Sequence, residues 1–431
     1  MVHFGIVTPP LAGHINALTA LAVTLVERGY RVTLLGPLDA RRWLADDRIG
    51  FHAIARDTHP KGALQDDTSR MGRLRGLFGV RGMIADLARL TDAVCRDVPP
   101  AIDRLGLDAL IVDQLEPGGA VAAMTAGVPY VTVATGLHVN REPNVPPPFV
   151  GWGFDPTEHG RWKVRGAYRV ADRLMAPIGD VLERHCRANG LPVQRDGAAF
   201  VSPTLDLLQA VPTLDYPRDA LGPATHYVGP LRRLRNESFA ELDELGRERP
   251  LAFASLGTLQ GAREGLLSRI ATACDDCRLD LVIVHCGLLD AARAERLGRR
   301  RNAGTTLVRD FVPQTTVLAR ADVAIVHGGF NTVLDALAAR TRLVVVPLAF
   351  EQPAIAARIE RAGVGARLSP HWAGRARIAR AIQRVINDDA IDARLDAVAS
   401  DIEAAGGAER AADLIEAALS PVERPRRMEP A

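Results

Sequence analysis

The chain has 431 residues, of which 47% are hydrophobic and 24% charged, a length and composition that predict a soluble, globular protein of two domains. With 53 basic and 51 acidic residues the formal net charge is +2, which gives no support to nucleic-acid binding. The 5 cysteines are widely spread, which favours a reducing compartment, and no apolar run approaches the ~20 residues of a membrane span, so we predict a cytoplasmic protein.

The N-terminal residues predict a β-α-β unit whose turn carries a histidine. Strands over residues 3–8 and 31–35 flank an amphipathic helix over residues 15–28. PPLAGH stands where a dinucleotide-binding protein has GxGxxG, so this turn is not built to cradle nicotinamide-cofactor phosphates. His14 lies at the start of the helix, which tends to keep its imidazole neutral and suits a general base. A capping or packing role is the alternative that its position leaves open.

A later strand over residues 107–112 ends at Asp113, at the same predicted sheet edge. Position alone leaves Asp113 open as a partner of the base, a helix cap or a surface acid.

Residues 62–104 read as helical, and Arg70, Arg73, Arg75 and Arg81 alternate there with apolar residues. This pattern predicts either a solvated basic face or a surface that rests on an anionic membrane.

Residues 136–156 are rich in proline, glycine and aromatic residues, and a loop of this length and composition predicts a functional wall of a pocket. A helix over 169–189 and strands over 205–210 and 226–229 complete the first half, and the charged residues 232–250 predict a linker.

The second half repeats the α/β pattern. Strands over 251–255, 281–285, 306–309, 324–326 and 343–348 alternate with helices, one of them over 263–277. Gly257 and Thr258 form a glycine turn before that helix. Two α/β halves in succession favour two facing sheets over one large sheet.

The sequence HGGFNT after residue 326 predicts an anion site. Two glycines give access to backbone N–H groups at a helix N-terminus, and Asn331 and Thr332 add donors. Because no Lys or Arg lies between Arg320 and Arg340, dipoles and hydrogen bonds would hold the anion, and a diphosphate suits such a site. The alternative is that His327 is a core histidine beside a tight turn.

Two further features extend this site. Asp335, one turn into the helix, could accept hydrogen bonds from a ribose diol. Glu351 and Gln352 follow the strand over 343–348, at the sheet edge where ligands bind in open α/β folds, and they suit a pair of sugar hydroxyls.

The stretch FVPQTTVLARADVAIVHGGFNTVLDALAARTRLVVVPLAFEQ resembles the donor-binding box of the family 1 UDP-sugar glycosyltransferases. That resemblance implies an α/β fold of the GT-B type, with two facing Rossmann-like domains and the active site in the cleft between them. This box differs from that of the plant enzymes: it begins with Phe rather than Trp and is two residues shorter before His327. Asp335 and Glu351 replace the usual Glu and Asp, which keeps the charge and changes the reach.

The resemblance also assigns roles to residues. Phe311 would stack on uracil, and Gln314, in the same FVPQ segment as Val312, would hold the base edge. The diphosphate would be bound by His327, Gly329, Asn331 and Thr332 together with the Gly257–Thr258 turn. Asp335 would bind the ribose, and Glu351 and Gln352 the sugar. In the first domain His14 would be the catalytic base, with Asp113 orienting it.

The resemblance implies an inverting transferase that needs no metal, and the chain has no Asp-x-Asp. VHFGIVTPPLAGHINAL and the donor box look like those of bacterial zeaxanthin glucosyltransferases, a subgroup that glucosylates carotenoid ring hydroxyls. We therefore expect UDP-glucose as donor substrate and an apolar acceptor such as zeaxanthin, with a macrolide, sterol or other soluble aglycone as the alternative. A UDP-sugar epimerase and a non-catalytic sugar-nucleotide-binding protein are more remote alternatives.

For the chain organisation we expect an acceptor domain over residues 1–230 and a donor domain over 231–404. A helix over 405–420 would pack back on the first domain, before a tail over 421–431. We further expect a monomer without cofactor, in peripheral contact with the inner membrane face.

Overall fold

Two parallel β-sheets form the framework of the protein. The computed structural model describes residues 1–64, 76–233, 237–245, 248–299 and 304–419. The first sheet has the order β3-β2-β1-β4-β5-β6-β7 and the second β10-β9-β8-β11-β12-β13, where all described pairings are parallel. The first sheet contains β1 (His3–Val7), β2 (Arg31–Gly36), β3 (Gly50–Ala53), β4 (Ala109–Asp113), β5 (Tyr130–Ala134), β6 (Asp206–Leu208) and β7 (Thr225–Tyr227). The second contains β8 (Leu251–Ser255), β9 (Asp280–Val284), β10 (Thr306–Arg309), β11 (Val323–Val326), β12 (Arg342–Val345) and β13 (Gly365–Arg367). The predicted pair of Rossmann-like sheets is confirmed.

Helices cover the faces of both sheets. Those described in the first half are α1 (Ala12–Glu27), α2 (Gly76–Leu105), α3 (Gly118–Ala126) and α4 (Glu158–Ala188). Those in the second half are α5 (Gly257–Gln260), α6 (Glu264–Asp276), α7 (Ala291–Gly298), α8 (Gln314–Leu318), α9 (Phe330–Ala338), α10 (Gln352–Ala362), α11 (Arg375–Ile386), α12 (Ala390–Ala405) and α13 (Gly407–Leu419). Short 3₁₀ helices span Leu38–Trp43, Gly197–Phe200, Pro212–Leu214 and Ala240–Glu244.

The strands formed where the sequence has short apolar runs. All five residues of β1, β4 and β8 are buried, as expected for strands covered by helices on both faces. The prediction that α4 begins at residue 169 was wrong, because the helix begins at Glu158. The Thr157 hydroxyl accepts a hydrogen bond of 3.1 Å from the Gly160 N–H and caps the helix there.

The strand order places the candidate site. In both sheets the direction of winding reverses, between β1 and β4 in the first and between β8 and β11 in the second. Open α/β sheets bind ligands beyond the carboxyl ends of the strands at such a switch point. In the first sheet His14 follows β1 and Asp113 ends β4. In the second sheet Gly257 follows β8 and His327 follows β11. The topology therefore brings predicted site residues to the switch point of each sheet.

The C-terminal helix α13 packs against α1 of the first domain. Ala408, Ala411, Ala412 and Ile415 belong to the hydrophobic core around the first sheet. At the rim Arg28 of α1 forms ion pairs with Glu409, Asp413 and Glu416. The last helix is thus held by an apolar face and by one arginine at the end of α1.

A buried polar network joins the two domains. Asp215, in the first domain, accepts hydrogen bonds of 2.8 Å from His138 Nε2, 2.9 Å from Tyr227 Oη and 2.9 Å from Arg218 Nε. Its other carboxylate oxygen accepts one of 3.0 Å from Nε of Arg358, on α10 of the second domain. The side chains of Asp215 and Arg358 are only 2% and 3% exposed, so this ion pair is removed from water.

The charges in this network depend on each other. Burial alone would raise the pKa of Asp215, but the hydrogen bond and charge of His138, with Arg358 and Arg218, hold that pKa well below its ordinary value. Burial lowers the pKa of Arg358, and the charge of Asp215 opposes that effect. Each of the two charges therefore stabilises the other against the cost of burial.

In the part of the chain that the structure describes, no helix is both long and apolar enough to cross a bilayer.

Candidate active site

His14 lies in the first turn of α1 and forms a pair with Asp113. Its Nδ1 is 2.8 Å from Asp113 Oδ2, and the Asp113 side chain is fully buried whereas that of His14 is 12% exposed. Asp113 also accepts bonds of 3.1 Å from the Thr8 hydroxyl and 3.0 Å from the Leu115 N–H. Within the described residues Nε2 of His14 has no hydrogen-bond partner. The imidazole is thus fixed at one nitrogen while the other can accept a proton.

Thr135 completes this arrangement, although no sequence motif predicted its role. Its hydroxyl donates a hydrogen bond of 2.8 Å to Asp113 Oδ2 and lies 2.6 Å from His14 Nδ1. Thr8 comes directly after β1 and Thr135 directly after β5, the two strands that flank β4 in the sheet. A threonine just beyond a buried strand near the switch point was the signal that could have identified both.

The pKa of His14 is set mainly by burial and by Asp113. Burial lowers the pKa of the imidazole, but the charge and hydrogen bond of Asp113 outweigh burial, so the pKa of His14 is raised from its ordinary value. Burial likewise works to raise the pKa of Asp113, and His14 reverses this and lowers it. The buried carboxylate at 2.8 Å therefore opposes the effect that the sequence predicts from the helix N-terminus.

His327 lies between two glycines. A Cβ added at Gly257 or at Gly329 would lie 2.6 Å from atoms of the His327 ring, and Gly257 has a φ of +74°. Burial lowers the pKa of His327 to about 4, so the ring is neutral at pH 7. Nδ1 is buried and has no hydrogen-bond partner among the described residues. A neutral ring with an unpaired buried nitrogen, held between two bare backbone segments, suits binding of an anion through hydrogen bonds.

Asn331 connects this anion site to the turn that carries the base. Its amide nitrogen donates a 2.8 Å hydrogen bond to the Gly13 carbonyl, next to His14. Its amide oxygen accepts one of 2.6 Å from Gln209, which also donates 2.8 Å to the Thr135 carbonyl. Asn331 therefore bridges the two domains beside the base, a contact that its predicted role as a diphosphate ligand did not include.

Asp335 is paired with side chains on two other segments. Gln314 Nε2 donates to Asp335 Oδ2 over 2.8 Å, and Thr332 Oγ1 lies 3.3 Å from Gln314 Oε1. Arg232, from the predicted linker, forms an ion pair with Asp335. Arg232 thus brings to Asp335 a cation from outside the donor-box sequence.

The FVPQ segment lies at the rim of the second domain. Phe311 is 69% exposed, whereas Val312 packs against the core of the second sheet. Gln314 starts α8, and Thr258 follows Gly257 in α5. The exposed aromatic ring is therefore available to stack on a planar ligand.

Glu351 faces the first domain across the cleft. A Cβ added at Gly136, just beyond β5, would lie 3.0 Å from Glu351 Oε1. The charge of Glu351 raises the pKa of His14, as Asp113 does, and its effect is smaller than those of burial and of Asp113. The structure thus brings Glu351 and His14 together in one cleft.

The side-chain oxygen of Gln352 is already engaged by the protein backbone. Gln352 is buried, and this oxygen accepts hydrogen bonds of 2.8 and 2.9 Å from the N–H groups of Leu348 and Ala349. That oxygen therefore holds the loop before α10, and only the amide nitrogen is left for a ligand.

Of the groups that the structure describes, no three His, Cys, Asp or Glu side chains are arranged to hold a metal ion. The cleft thus combines a base with one free nitrogen, a facing carboxylate and a neutral anion site. This arrangement can deprotonate a hydroxyl close to the place where a bound phosphoanhydride would leave.

The sequence is similar to known proteins along almost its whole length. A family model described as "UDP-glucoronosyl and UDP-glucosyl transferase" matches residues 192–397. A zeaxanthin glucosyltransferase of Pantoea ananas is 38% identical over 417 residues, covering 96% of both chains. One from Pseudescherichia vulneris is 38% identical over 421 residues, covering 97% of this chain and 98% of the relative.

Solved structures share the fold. The calicheamicin glycosyltransferase CalG4 superimposes with a TM-score of 0.76 at 22% identity, covering 98% of this chain and 99% of that one. The glycotransferase of kitacinnamycin gives a TM-score of 0.74 at 20% identity, covering 97% and 99% of the two chains. At these identities the likeness shows a common two-domain architecture.

Proposed function

This chain belongs to the UDP-glycosyltransferase family, and we propose that it transfers glucose from UDP-glucose to a hydroxyl group of a carotenoid such as zeaxanthin. Its activity is that of a UDP-dependent glycosyltransferase. The observation that carries the proposal is the His14–Asp113 pair, 2.8 Å apart, which faces the donor-side residue Glu351 across the cleft. Two zeaxanthin glucosyltransferases, each 38% identical over nearly the full chain, support the choice of acceptor.

The base acts on the acceptor. Nδ1 of His14 donates to Asp113, which leaves Nε2 to take the proton of the acceptor hydroxyl. The resulting oxygen attacks the anomeric carbon, the new C–O bond forms as the bond to UDP breaks, and the configuration inverts. Asp113 stabilises the imidazolium, and the Thr135 hydroxyl holds the Asp113 oxygen in place.

The donor residues act on the leaving group and the sugar. His327, neutral because of its lowered pKa of about 4, would donate a hydrogen bond to the diphosphate together with N–H groups at the start of α9. Phe311 would stack on uracil, and Asp335 would exchange its pairing with Arg232 for the ribose hydroxyls. Glu351 would hold glucose hydroxyls on the side of the cleft that faces His14.

The sheets support the proposed domain organisation. The base lies on the first sheet and the anion site on the second, as a division into residues 1–230 for the acceptor and 231–404 for the donor requires. We further propose a monomer that works at the inner membrane face. Of the arginines predicted to meet that membrane, Arg70, Arg73 and Arg75 lie outside the described residues, and Arg81 is exposed on α2.

The decisive assay is incubation with UDP-glucose and detergent-dispersed zeaxanthin, analysed by mass for hexosylated products. Macrolides and sterols in parallel reactions test the alternative acceptors. Turnover of UDP-glucose without any acceptor would indicate an epimerase, and UDP binding without any transfer would indicate a binding protein. Either result would refute the proposed function.

Asp113→Asn should shift the pH dependence of transfer to lower pH while lowering the plateau rate. His14 works as a base only when it is deprotonated. The kcat/KM of the wild type should therefore rise as the pH passes through the pKa of His14, which is raised from its ordinary value. The variant loses the charge that raises this pKa but keeps the burial that lowers it, so the acidic limb should move down. Glu116→Gln is the matched control, because burial raises the pKa of Glu116 to about 8 and the change removes no charge at pH 7. An unaltered profile in Asp113→Asn would show that the pair does not act in catalysis.

Glu351→Ala should weaken productive binding of UDP-glucose by about 10–100-fold, the value of one or two lost charge-assisted hydrogen bonds. Binding of UDP should change little, because UDP lacks the glucose hydroxyls. The measurement compares KM for UDP-glucose with the Kd for UDP by calorimetry, and Glu360→Ala, exposed on the same helix, is the control. Equal losses for both ligands would mean that Glu351 supports the fold and does not bind the sugar.

A further inference from the structure

Helix α4 turns an apolar and basic face to solvent. Its inner side packs into the protein through Val164, Ala171 and Leu182. On the opposite side Trp162 and Val170 are 63% and 61% exposed, so two large apolar side chains face solvent on one part of the helix. Arg165, Arg169 and Arg173 lie beside them at a spacing of four residues, which aligns them on one side of the helix. We call Trp162, Arg165, Arg169, Val170 and Arg173 the α4 outer face.

The charges of this face are not neutralised. Within the described residues Arg165, Arg169 and Arg173 form no ion pair, whereas Arg184 and Arg187 nearer the end of the same helix each have an acidic partner at 2.6 Å. Unpaired guanidinium groups alongside exposed tryptophan give the surface a net positive charge and an apolar component. Such a combination fits the headgroup region of an anionic lipid bilayer, where Trp and Arg are both favourable.

The α4 outer face continues into the loop over residues 136–156. The Lys163 ammonium lies 5.5 Å from the centre of the Trp152 ring, which links the helix to the loop. Trp152 is 41% exposed and Phe149 42%, so aromatic groups extend the surface toward the proposed acceptor side. An open cavity of about 390 Å³ lies between this loop and α4, and Arg165 and Arg169 are among the residues that line it.

We propose that the α4 outer face docks the enzyme on an anionic lipid bilayer, next to the entrance for the acceptor. The proposal rests on the proposed function, since a carotenoid diol resides in the bilayer while the protein must reach it from water. It names a different surface from residues 62–104, and it gives a reason for large apolar side chains to stay exposed on the side of the helix opposite to its buried residues.

The test is sedimentation of the full-length protein with vesicles. Wild type should bind vesicles of phosphatidylcholine mixed with phosphatidylglycerol at low salt, and bind pure phosphatidylcholine weakly. The triple change Arg165→Gln, Arg169→Gln and Arg173→Gln should lower the partition coefficient about 100-fold, from about fivefold for each basic residue near the surface. High salt should reduce wild-type binding, because it screens exposed charges. Trp162→Ala should lower the binding that remains at high salt.

A matched control separates this site from general charge effects. Arg278, Arg380 and Arg384 are exposed in the other domain, and changing all three to Gln removes the same charge while Arg377, which stacks on the exposed Trp372, is left in place. This control should bind as the wild type does. Equal loss in the control, or no binding by the wild type at low salt, would refute the proposal. Loss only in a variant with Arg70, Arg73, Arg75 and Arg81 changed to Gln would assign docking to residues 62–104 instead.

The outcomes for docking and for function can be told apart. Glucosylation of zeaxanthin in detergent does not need a bilayer, so the α4 triple variant should keep wild-type activity there and lose it with zeaxanthin in vesicles. Transfer in detergent by a wild type that fails to bind vesicles would refute docking and leave the function standing. Vesicle binding by a wild type that transfers no glucose in detergent would refute the proposed function and leave docking standing.

Discussion

His14→Ala should lower the turnover of glucosyl transfer about 10²–10⁴-fold, the range that general-base catalysis contributes. Nε2 of His14 is unpaired among the described residues, so no neighbouring side chain is already bound to the acceptor-facing atom. The affinity for UDP should stay nearly unchanged, since the anion site around His327 is built from the second domain. The combination of a lost rate and a kept affinity separates a catalytic base from a residue that only stabilises the fold.

The measurement is kcat with a saturating acceptor, together with the Kd of UDP by calorimetry. His371→Ala, at an exposed position without a predicted role in the site, is the control and should keep both values. Near-wild-type turnover in His14→Ala would exclude His14 as the base. A parallel loss of UDP affinity would mean that the α1 turn supports the donor site through the bond between Asn331 and Gly13.

Asp215→Ala should lower the free energy of unfolding by about 3–5 kcal/mol, the cost of leaving one member of a buried ion pair without its partner. Arg358 is 3% exposed and would lose its carboxylate, while His138, Arg218 and Tyr227 would lose an acceptor. Because the pKa of Asp215 is lower in the folded than in the unfolded protein, its stabilisation is present above its unfolded value of about 3.9 and is lost as the pH falls below that value.

Urea unfolding at pH 7 measures this effect, with Asp276→Ala as control. Asp276 pairs with Arg375 on the surface, where the side chains are 32% and 59% exposed, so its loss should cost less than about 1 kcal/mol. Replacing Asp215 and Arg358 together by Asn and Met should restore only part of the stability, because the buried charge of Arg358 is removed while Arg218, 5% exposed, still lacks its carboxylate. Equal effects for Asp215→Ala and the surface control would show that the network contributes little to the fold.

The sequence predicted the framework because both sheets are made of short, continuous apolar runs. The strands Leu251–Ser255 and Thr306–Arg309 have the predicted bounds, since a buried parallel strand is visible as a run between polar turns. The same reasoning predicted that Asp113 and His327 lie at the carboxyl ends of strands. In each parallel sheet these ends lie along one edge. Their proposed roles remain predictions that the variants above can test.

Contacts between distant segments could not be predicted in this way. Arg232 and Asp335 are separated by 103 residues, and Asp215 and Arg358 by 143. Helical or strand periodicity indicates which side of an element is buried. It does not indicate which distant charged side chain will contact that element. Gln352 shows the same limit, because a carboxamide after a strand can bind either a ligand or its own loop.

The position of Arg358 has a consequence for recombining domains between related enzymes. A chimera joined near residue 230 would take the acceptor half from one parent and the donor half from another, and it would split the Asp215–Arg358 pair between the parents. The helix that carries Arg358 also begins next to Glu351. A mismatched partner would therefore move Glu351 relative to His14 even if both halves folded. A functional chimera should take positions 215 and 358 from the same parent, for example by keeping α10 with the acceptor half.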